Sequence, residues 1–347
     1  MFRRLVTLFI GGALLAIVSN RTAYAQTFSP EYVHDFSDTL NLRVLFVQKG
    51  LQMKIQNQLG SQRYFFTPWH RNYVGVGGFL WNIGFSALLP VSPSLGNDDL
   101  RRFDFQSSVF GRNWMADGIY QSYHGFVQSS RRFNAPANSD QELENTGLKK
   151  IQATITYAPS GEKFSLGFPY NQGHQQRRSS GSLLMSADFS YKNITSDDGI
   201  LPPGAVSNQD PLKQLRRVES FSFTSMAGYG ATLVHRNYYL YLFGLTGLGF
   251  QRINYQTDRK NRLFAIEPAY DVRAGLGRDQ GDWYIGMYAS SDYTVTDVED
   301  WRFIGRTSQV RFFVGVRFSE PRFLRRIKPR FLEEMRSSPS LPLPFVN

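Results

Sequence analysis

Apolar and polar residues alternate with a period of two along many segments of this chain, and this pattern constrains the fold more than any other feature. Within 182–192 one face is apolar and the interleaved face almost wholly polar; the apolar members are Leu183, Met185, Ala187, Phe189 and Tyr191. Within 309–318, Arg311 and Arg317 interleave with apolar residues. Strands show this alternation when one of their two faces is in an apolar environment and the other in a polar one. The pattern predicts an all-β protein.

Similar segments follow one another along the chain with polar, turn-rich stretches between them. The further candidate strands are 40–58, 73–89, 102–109, 114–127, 151–157, 163–170, 221–234, 238–252, 263–275 and 283–295. Several are long enough to hold two strands. At about 10 residues per strand they predict about 12 strands, with 10 or 14 as alternatives, because bacterial barrels contain even numbers.

The fold class that we predict is a closed antiparallel transmembrane β-barrel. An exported sheet that shows lipid an apolar face must close on itself to satisfy its backbone. Tyr and Trp cluster near the predicted strand ends, as at the two lipid–water interfaces of barrels. The longest uncharged apolar run after the N-terminal segment, 238–250, is too short for a membrane helix. A soluble periplasmic lipocalin-like binding barrel, with these aromatics in its core, is the alternative.

The first 25 residues have the pattern of a cleaved signal peptide. Arg3 and Arg4 precede an apolar stretch at 5–18, and Ala23-Tyr24-Ala25 matches a cleavage site, so we expect cleavage after Ala25. The remaining chain divides into a lead-in at 26–39, a barrel domain at 40–318 and a basic, proline-rich C-terminal tail at 319–347. Export of such a barrel predicts the outer membrane of a Gram-negative bacterium.

Charge and cysteine content narrow the partners. The formal net charge is +11, but export argues against a nucleic-acid partner. The chain has no cysteine, so a closed hydrogen-bonded barrel must replace disulfides as the source of stability. The expected partners are outer-membrane lipids, lipopolysaccharide and the barrel assembly machinery. The basic tail either contacts anionic headgroups or is solvated. The sequence predicts no particular oligomeric state.

Six segments carry a resemblance to a known family: 40–45, 72–77, 103–106, 117–126, 163–165 and 176–182, which read LNLRVL, NYVGVG, FDFQ, DGIYQSYHGF, KFS and QRRSSGS. They resemble the bacterial family catalogued as domain of unknown function 4421. In the last segment the family pattern is closer to QKKSAGS, so Arg177, Arg178 and Ser180 differ conservatively. The resemblance covers about 40–318 and implies an outer-membrane β-barrel without an assigned activity.

No residues form a convincing catalytic or metal site. Ser122 and His124 share a strand face near Asp117 and Gln121, but the nucleophile elbow Gly-x-Ser-x-Gly is absent from the sequence. We therefore predict a non-enzyme, with a lipid hydrolase or deacylase as the minor alternative. No cofactor and no metal ion are expected, because there is no cysteine and no histidine pair at ligand spacing.

The polar faces of the strands are the most promising site. If they line the lumen, it contains both signs of charge; the candidates are Arg43, Lys54, Arg102, Asp104, Gln106, Asp188, Lys192, Arg311 and Arg317. Such charges either form an ion-pair network that blocks flow or line an open channel. A second candidate is an anion site formed by Arg177, Arg178, Ser179 and Ser182, for which a solvated turn is the alternative.

Three functions follow as hypotheses. The first is porin-like passage of small solutes, the second is a closed barrel that binds a surface ligand or organises the envelope, and the third is lipid modification. The sequence does not choose between an open and a plugged barrel.

Overall fold

The chain forms strands joined by turns throughout the part that the structure describes. This computed structural model describes residues 28–57, 63–67, 72–91, 102–129, 141–168, 170–197, 199–200, 214–257, 260–298 and 301–321. In these ranges no helix has the length and hydropathy needed to cross a membrane. The strands are β1 (Val33–Asp35), β2 (Thr39–Asn57), β3 (Arg63–Thr67), β4 (Asn72–Leu80), β5 (Ile83–Pro90), β6 (Arg102–Phe110), β7 (Trp114–Ser129), β8 (Gln141–Tyr157), β9 (His174–Gln176), β10 (Ser180–Ser196), β11 (Arg217–His235), β12 (Tyr238–Gln256), β13 (Lys260–Asp279), β14 (Trp283–Val298) and β15 (Trp301–Ser319).

Twelve antiparallel strands close into a barrel. The first barrel strand, β2, pairs with the last, β15, from Thr39 opposite Ser319 to Asn57 opposite Trp301. This closure leaves no free sheet edge along β2 and β15, as a lipid-exposed sheet requires. The predicted all-β closed barrel with about 12 strands is confirmed. Residues 1–27 and 322–347, which contain the predicted signal peptide and most of the predicted tail, lie outside the described residues.

The period-two pattern separates an outer apolar surface from an inner face. On β10, Leu183 is 63% exposed and Leu184 is 1% exposed. On β15, Phe312 and Val314 are exposed while Arg311 and Phe313 are buried. Because alternate side chains point to opposite faces, one register decides the orientation of a whole strand.

The outer apolar surface covers only part of the strand length. Barrel strands such as β12 and β13 exceed the 9–11 residues that span a bilayer. On β12 the outward residues from Tyr238 to Phe250 are apolar except for Thr246, and Arg252 then begins a polar outer surface. We call the end where β2 begins and β15 finishes the terminal end. The apolar belt therefore lies nearer the terminal end, and the strands continue past it at the far end.

The connection between β8 and β10 folds into the barrel at the terminal end. We call residues 158–179 the plug. Its side chains Phe164, Phe168 and Gln172 are all fully buried, and its strand β9 pairs with β1 inside the barrel mouth. The predicted strand at 163–170 is wrong, because its described residues, 163–168 and 170, form turns and bends and no strand. Both alternating faces of 164–168 are buried, so no lipid-facing side exists there.

Apolar side chains of the plug and the wall form one cluster in the terminal half. The Phe164 ring stacks on Tyr241, with 6.2 Å between centroids, and Phe168 packs edge-on against Tyr239 at 4.6 Å. Gly173 lies against Phe79, whose ring atoms are 2.3 Å from where a Cβ on Gly173 would be. Only glycine allows the plug backbone to approach this ring so closely.

A second apolar cluster, which we call the collar, crosses the lumen near the far end. Its members come from seven barrel strands and from the segment that precedes β11: Ile55, Tyr123, Phe126, Leu148, Ile194, Ile200, Leu215, Val218, Ile253, Tyr255, Trp301 and Phe303. All of them are at most 9% exposed. At the level of the collar the inner face of the strands is apolar and the outer face is polar. In the apolar belt it is the outer face that is apolar.

The wall divides into two arms between β2 and β7. Toward the terminal end, β4, β5 and β6 connect β2 to β7. Toward the far end the single strand β3 makes that connection, pairing with Met53–Gln56 of β2 and with residues 127–129 of β7. At the far end the single strand β3 fills the gap between β2 and β7 that β4, β5 and β6 fill at the terminal end. The barrel is therefore narrower at the far end.

Candidate functional site: a plugged lumen with an enclosed polar chamber

Arg317 is the central attachment of the plug to the wall. This inward residue of β15 forms a two-pronged ion pair with Asp279 of β13, with both nitrogen–oxygen distances at 2.8 Å. Its Nη2 also donates to the plug carbonyl of Gln172 at 3.0 Å. The guanidinium lies over the rings of Phe36 and Tyr284, at 4.1 and 4.7 Å from their centroids. A buried charge with this many partners holds one geometry.

Wall side chains donate further hydrogen bonds to plug carbonyls. Asn41 Nδ2 donates to the Gln172 carbonyl at 2.7 Å, and Arg43 Nη1 donates to the Tyr170 carbonyl at 2.9 Å. Gln172 lies in the left-handed region with φ 59°, and its Nε2 donates to the Tyr239 hydroxyl at 3.1 Å. These bonds satisfy irregular backbone that would otherwise be buried without partners. The plug is therefore bonded to the wall on several sides.

His174 joins β9 to the body of the plug. Its Nδ1 lies 2.8 Å from Ser165 Oγ, and its Nε2 lies 3.8 Å from Asp35 Oδ1. Burial lowers the pKa of His174, Asp35 opposes this and Arg317 adds to it. The residue types match a catalytic triad, but Ser165 is fully buried and its Oγ accepts from the Phe168 N–H at 3.2 Å. The hydroxyl thus stabilises a turn and is not placed for attack on a substrate.

Between the plug and the collar lies a polar chamber of about 120 Å³. Its lining combines amide and hydroxyl groups with tyrosine rings, from Gln121, Thr154, Thr224, Tyr288, Tyr293 and Gln309 among others. The plug closes its terminal side with Tyr170, whose pKa is raised by burial and by Asp117. A wall of this composition can hydrogen-bond a polar ligand and stack on it.

The chamber contains both signs of charge in paired form. Arg273 contacts Asp271 at 2.6 Å, and Asp188 accepts from Gln152 and Thr154 at 2.6 and 2.7 Å. Across the lumen, Lys150 of β8 lies 3.7 Å from Asp292 of β14.

Lys192 of β10 makes a second crossing contact, donating to Thr294 of β14 at 2.6 Å. The two crossing contacts separate the chamber from a smaller cavity of about 60 Å³ under the collar. The lumen is thus bridged by polar contacts at mid-height, in addition to being filled at the terminal end and closed by the collar.

Most of the predicted lumen residues that can be described face inward, at two different levels. Arg43, Arg311 and Arg317 are buried beside the plug. Gln106 and Asp188 line the chamber, and Lys192 lines the cavity above it. The side chains of Arg102 and Asp104 lie outside the described part. Their backbones pair with Tyr123 and Gln121 of β7.

The structure corrects the predicted lumen position of Lys54. It neighbours Ile55, which is fully buried in the collar, so alternation places Lys54 on the outer face, where its Nζ lies 6.0 Å from the Phe65 ring centroid. The sequence pattern predicts that polar residues face inward along the whole strand. Beyond the apolar belt the inner face is apolar and the outer face is polar, which reverses the rule there.

The structure does not bring the predicted anion site together. Arg178 pairs with Glu31 at 2.9 Å on the surface, and Ser179 Oγ accepts from the Val234 N–H at 2.8 Å. Ser182 points into the barrel, is 2% exposed and accepts from the Ser160 N–H. Arg177 is exposed, and its guanidinium donates to the Pro30 carbonyl at 3.5 Å. These residues attach the plug to its surroundings and do not converge on a shared point.

His124 and Ser122 share a strand face, as the sequence indicated, but it is the face opposite the buried Gln121 and Tyr123. His124 is exposed and stands next to Gly125, which has φ 80° where the β7–β8 register shifts. Asp117 faces the chamber instead and accepts from Ser108 at 2.5 Å. The three groups therefore cannot meet in one site.

The family model described as Domain of unknown function (DUF4421) matches residues 29–318. The chain belongs to this family. The match covers all twelve barrel strands and the plug, so the family assignment includes the chamber as well as its wall.

Other similarities are distant. The Escherichia coli outer membrane protease OmpT is 8% identical with a TM-score of 0.43, over 84% of this chain and all of that chain. The attachment invasion locus protein Ail of Yersinia pestis is 10% identical with a TM-score of 0.21, over 79% and 98%. A fusicoccadiene 8-ol C-16-hydroxylase of Phomopsis amygdali is 27% identical over 175 residues, 44% of this chain. The chain spans about a third of the length of that curated relative.

Proposed function

We propose that this protein is a plugged outer-membrane barrel that holds a small polar ligand in its chamber and is not an open diffusion pore. The observation that carries the proposal is the plug, which occupies the terminal half of the lumen and receives buried hydrogen bonds from Asn41, Arg43 and Arg317. A loop that merely fell into a pore would not match so many buried donors to its carbonyls.

The chamber supports ligand binding because polar side chains from several strands line it together. Asp188 and Asp271 are paired within the wall, while hydroxyl and amide groups on β7, β8, β11 and β14 face a common volume of about 120 Å³. Buried polar cavities of this size retain water or a ligand. Several directed hydrogen-bonding groups and tyrosine faces favour a compact polar solute over an apolar one.

Single-channel recording in planar bilayers tests the closed state. The intact chain is expected to give no conductance steps at high protein load. A variant in which residues 160–178 are replaced by a short Gly-Ser linker and the collar residues Phe126 and Phe303 by glycine is expected to give steps, because neither the plug nor the collar then closes its lumen. Heat-dependent mobility on a detergent gel confirms that each variant has closed into a barrel.

The control exchanges the surface pair, Glu31→Arg with Arg178→Glu, which keeps the plug intact. It is expected to remain silent like the intact chain. Steps of equal size from the intact chain and the plug-replaced variant would contradict the proposal and support porin-like passage.

A further inference from the structure

The outer surface of β11, β12 and β13 changes from apolar to basic over a short distance. Because the three strands pair in register, their outward residues form rows across the sheet. One row near the far end is wholly apolar and exposed: Phe223, Phe250 and Ile266. The next row toward the far end places Arg252 between the exposed rings of Phe221 and Phe264. The apolar belt therefore ends within the row of Arg252.

Two further rows continue the same three strands toward the far end, and both are polar. They are Glu219 with Asn254 and Arg262, and then Arg217 with Gln256 and Lys260. We call Arg217, Arg252, Lys260 and Arg262 the basic patch, and all four side chains are exposed. Glu219 is the one acidic residue of these rows. The outer surface is thus strongly positive directly beyond the apolar belt.

Glu219 compensates only one charge of the basic patch. Its Oε1 lies 2.5 Å from Arg217 Nη2 and accepts from the Tyr191 hydroxyl at 3.3 Å. Among the residues that the structure describes, Arg252, Lys260 and Arg262 form neither an ion pair nor a side-chain hydrogen bond. Like charges close together on one strand face repel each other. An anion that binds between them removes this repulsion.

Arg252 and Arg262 are placed to bind one anion together. Arg252 pairs with Phe264, so Arg262 is its diagonal neighbour on the same face of the β12–β13 pair. Diagonal neighbours lie about 7–8 Å apart, within reach of long side chains. A phosphate group has enough oxygen atoms to accept from two guanidinium groups at once. Lys260, the next outward residue on β13, adds a third positive charge.

The outward arginines of β15 differ from those of the basic patch, because they have partners in the wall. Arg302 forms a two-pronged ion pair with Asp297, with both nitrogen–oxygen distances at 2.8 Å. Arg306 Nε donates to Ser291 Oγ at 3.3 Å. The polar outer surface is therefore not uniformly basic, and β11–β13 form the sector that is suited to an external anion.

The lengths of the connections indicate which leaflet the basic patch meets. Apart from the plug, short turns such as 236–237 and 280–282 join the strands at the terminal end, whereas the longer connections 130–140 and 197–216 join strands at the far end. Outer-membrane barrels have short periplasmic turns and longer extracellular loops. This rule makes the far end the extracellular one. The row of Phe221, Arg252 and Phe264 then lies at the headgroups of the outer leaflet, where aromatic residues flank the apolar band.

We propose that the basic patch binds the phosphate groups of lipopolysaccharide in the outer leaflet. Arg252 and Arg262 hold one phosphate, while the acyl chains of the lipid lie along Phe223, Phe250 and Ile266. The uncompensated arginines favour a phosphate, and the apolar row beside them favours a lipid as its source. This site is on the outside of the wall, so it goes beyond the proposed chamber function and does not depend on it.

Titration with lipopolysaccharide lacking its O-antigen tests the site, with the intact chain folded in detergent and the bound lipid counted by native mass spectrometry. Arg252→Gln with Arg262→Gln should raise the dissociation constant at least about tenfold, because two charged donors are lost. Arg302→Gln with Arg306→Gln removes the same charge from the outer surface of β15. This control should change the constant by less than about twofold. Equal weakening by the two double variants would overturn the proposal.

Two further titrations use only the intact chain, so they do not depend on the folding of a variant. Lipopolysaccharide whose phosphates have been removed enzymatically should bind at least about tenfold more weakly. Inorganic phosphate in large excess should not displace the intact lipid, because it makes no contact with the apolar row. Undiminished binding of the dephosphorylated lipid, or full displacement by inorganic phosphate, would overturn the assignment. Heat-dependent gel mobility verifies that the double variants have closed into barrels.

Discussion

The two halves of the lumen use inward charges in different ways. In the terminal half, Arg317 and Arg43 donate to carbonyls of the plug, and their charge holds irregular backbone in place. In the chamber, Arg273, Lys150 and Asp188 contact other side chains of the wall and leave a volume of about 120 Å³ between them. The same sequence pattern, a charged residue on a polar strand face, thus holds the plug in one half and forms a cavity in the other.

This difference has an energetic consequence. A charge that is buried and bonded to backbone is costly to remove, since its partners stay buried without it. A charge that borders a polar cavity can be replaced by water. Substitutions in the terminal half should therefore affect stability, and isosteric ones in the chamber should affect ligand binding.

The largest effect is expected for Arg317→Ala. It leaves the buried Asp279 carboxylate without its ion-pair partner and removes one of the two side-chain donors to the Gln172 carbonyl, so the free energy of unfolding should fall by about 3–5 kcal/mol. Urea unfolding in lipid vesicles measures it. Arg306→Ala, which removes an exposed arginine from the same strand, should change the midpoint little. Equal losses for the two variants would show that Arg317 does not hold the plug.

Asn41→Ala should have the next largest effect. It removes the second side-chain donor to the Gln172 carbonyl and the acceptor for the Tyr284 hydroxyl, which should cost about 1–3 kcal/mol. Limited proteolysis within the plug should become faster at the same time. Asn237→Ala, in the exposed turn between β11 and β12, is the control and should leave both readouts unchanged. An unaltered cleavage rate in Asn41→Ala would contradict its role.

Acidification should weaken the plug through His174. Burial lowers its pKa below 6.5 in the folded state, so the unfolded state binds more protons and stability falls as the pH drops below about 6.5. One group contributes at most about 1.4 kcal/mol per pH unit. Comparing urea midpoints at about pH 8 and about pH 5, the intact chain should lose more than His174→Gln. An equal loss in both would assign the effect to other groups.

The smallest effect on stability is expected for Asp188→Asn in the chamber. The amide oxygen can still accept from Gln152 and Thr154, so the free energy of unfolding should change by less than about 1 kcal/mol. Asp279→Asn is the matched change in the terminal half and should cost several times more, because it breaks the pairing with Arg317. Similar costs for the two would remove the contrast between the halves.

The sequence predicts the strands of the barrel wall far better than it predicts the plug and the contacts inside the lumen. Alternation along 182–192 and 309–318 sets the inward and outward faces of β10 and β15, because one register orients a whole strand. The plug escapes prediction because Phe164, Leu166, Phe168 and Tyr170 also alternate with other residues, which imitates a strand. The intervening Gly167 and Pro169 were the available signals of turns.

Contacts across the lumen are also beyond a local pattern. Lys150 and Asp292 meet only because β8 and β14 lie on different sides of a closed barrel. Lys54 shows a different limit, since the polar face turns outward once the strand passes the apolar belt. Alternation gives the two faces of a strand, but the position of the membrane decides which one is inside.

Thiol labelling of Thr224→Cys tests the enclosed chamber most directly. Thr224 lines the chamber and is 8% exposed. A charged, membrane-impermeant maleimide supplied on both sides of the membrane should leave it unlabelled for the time in which Asp282→Cys, in an exposed turn, reacts completely. Replacing residues 160–178 should make the chamber thiol reactive. Labelling of Thr224→Cys in the intact chain as fast as Asp282→Cys would contradict a plugged barrel.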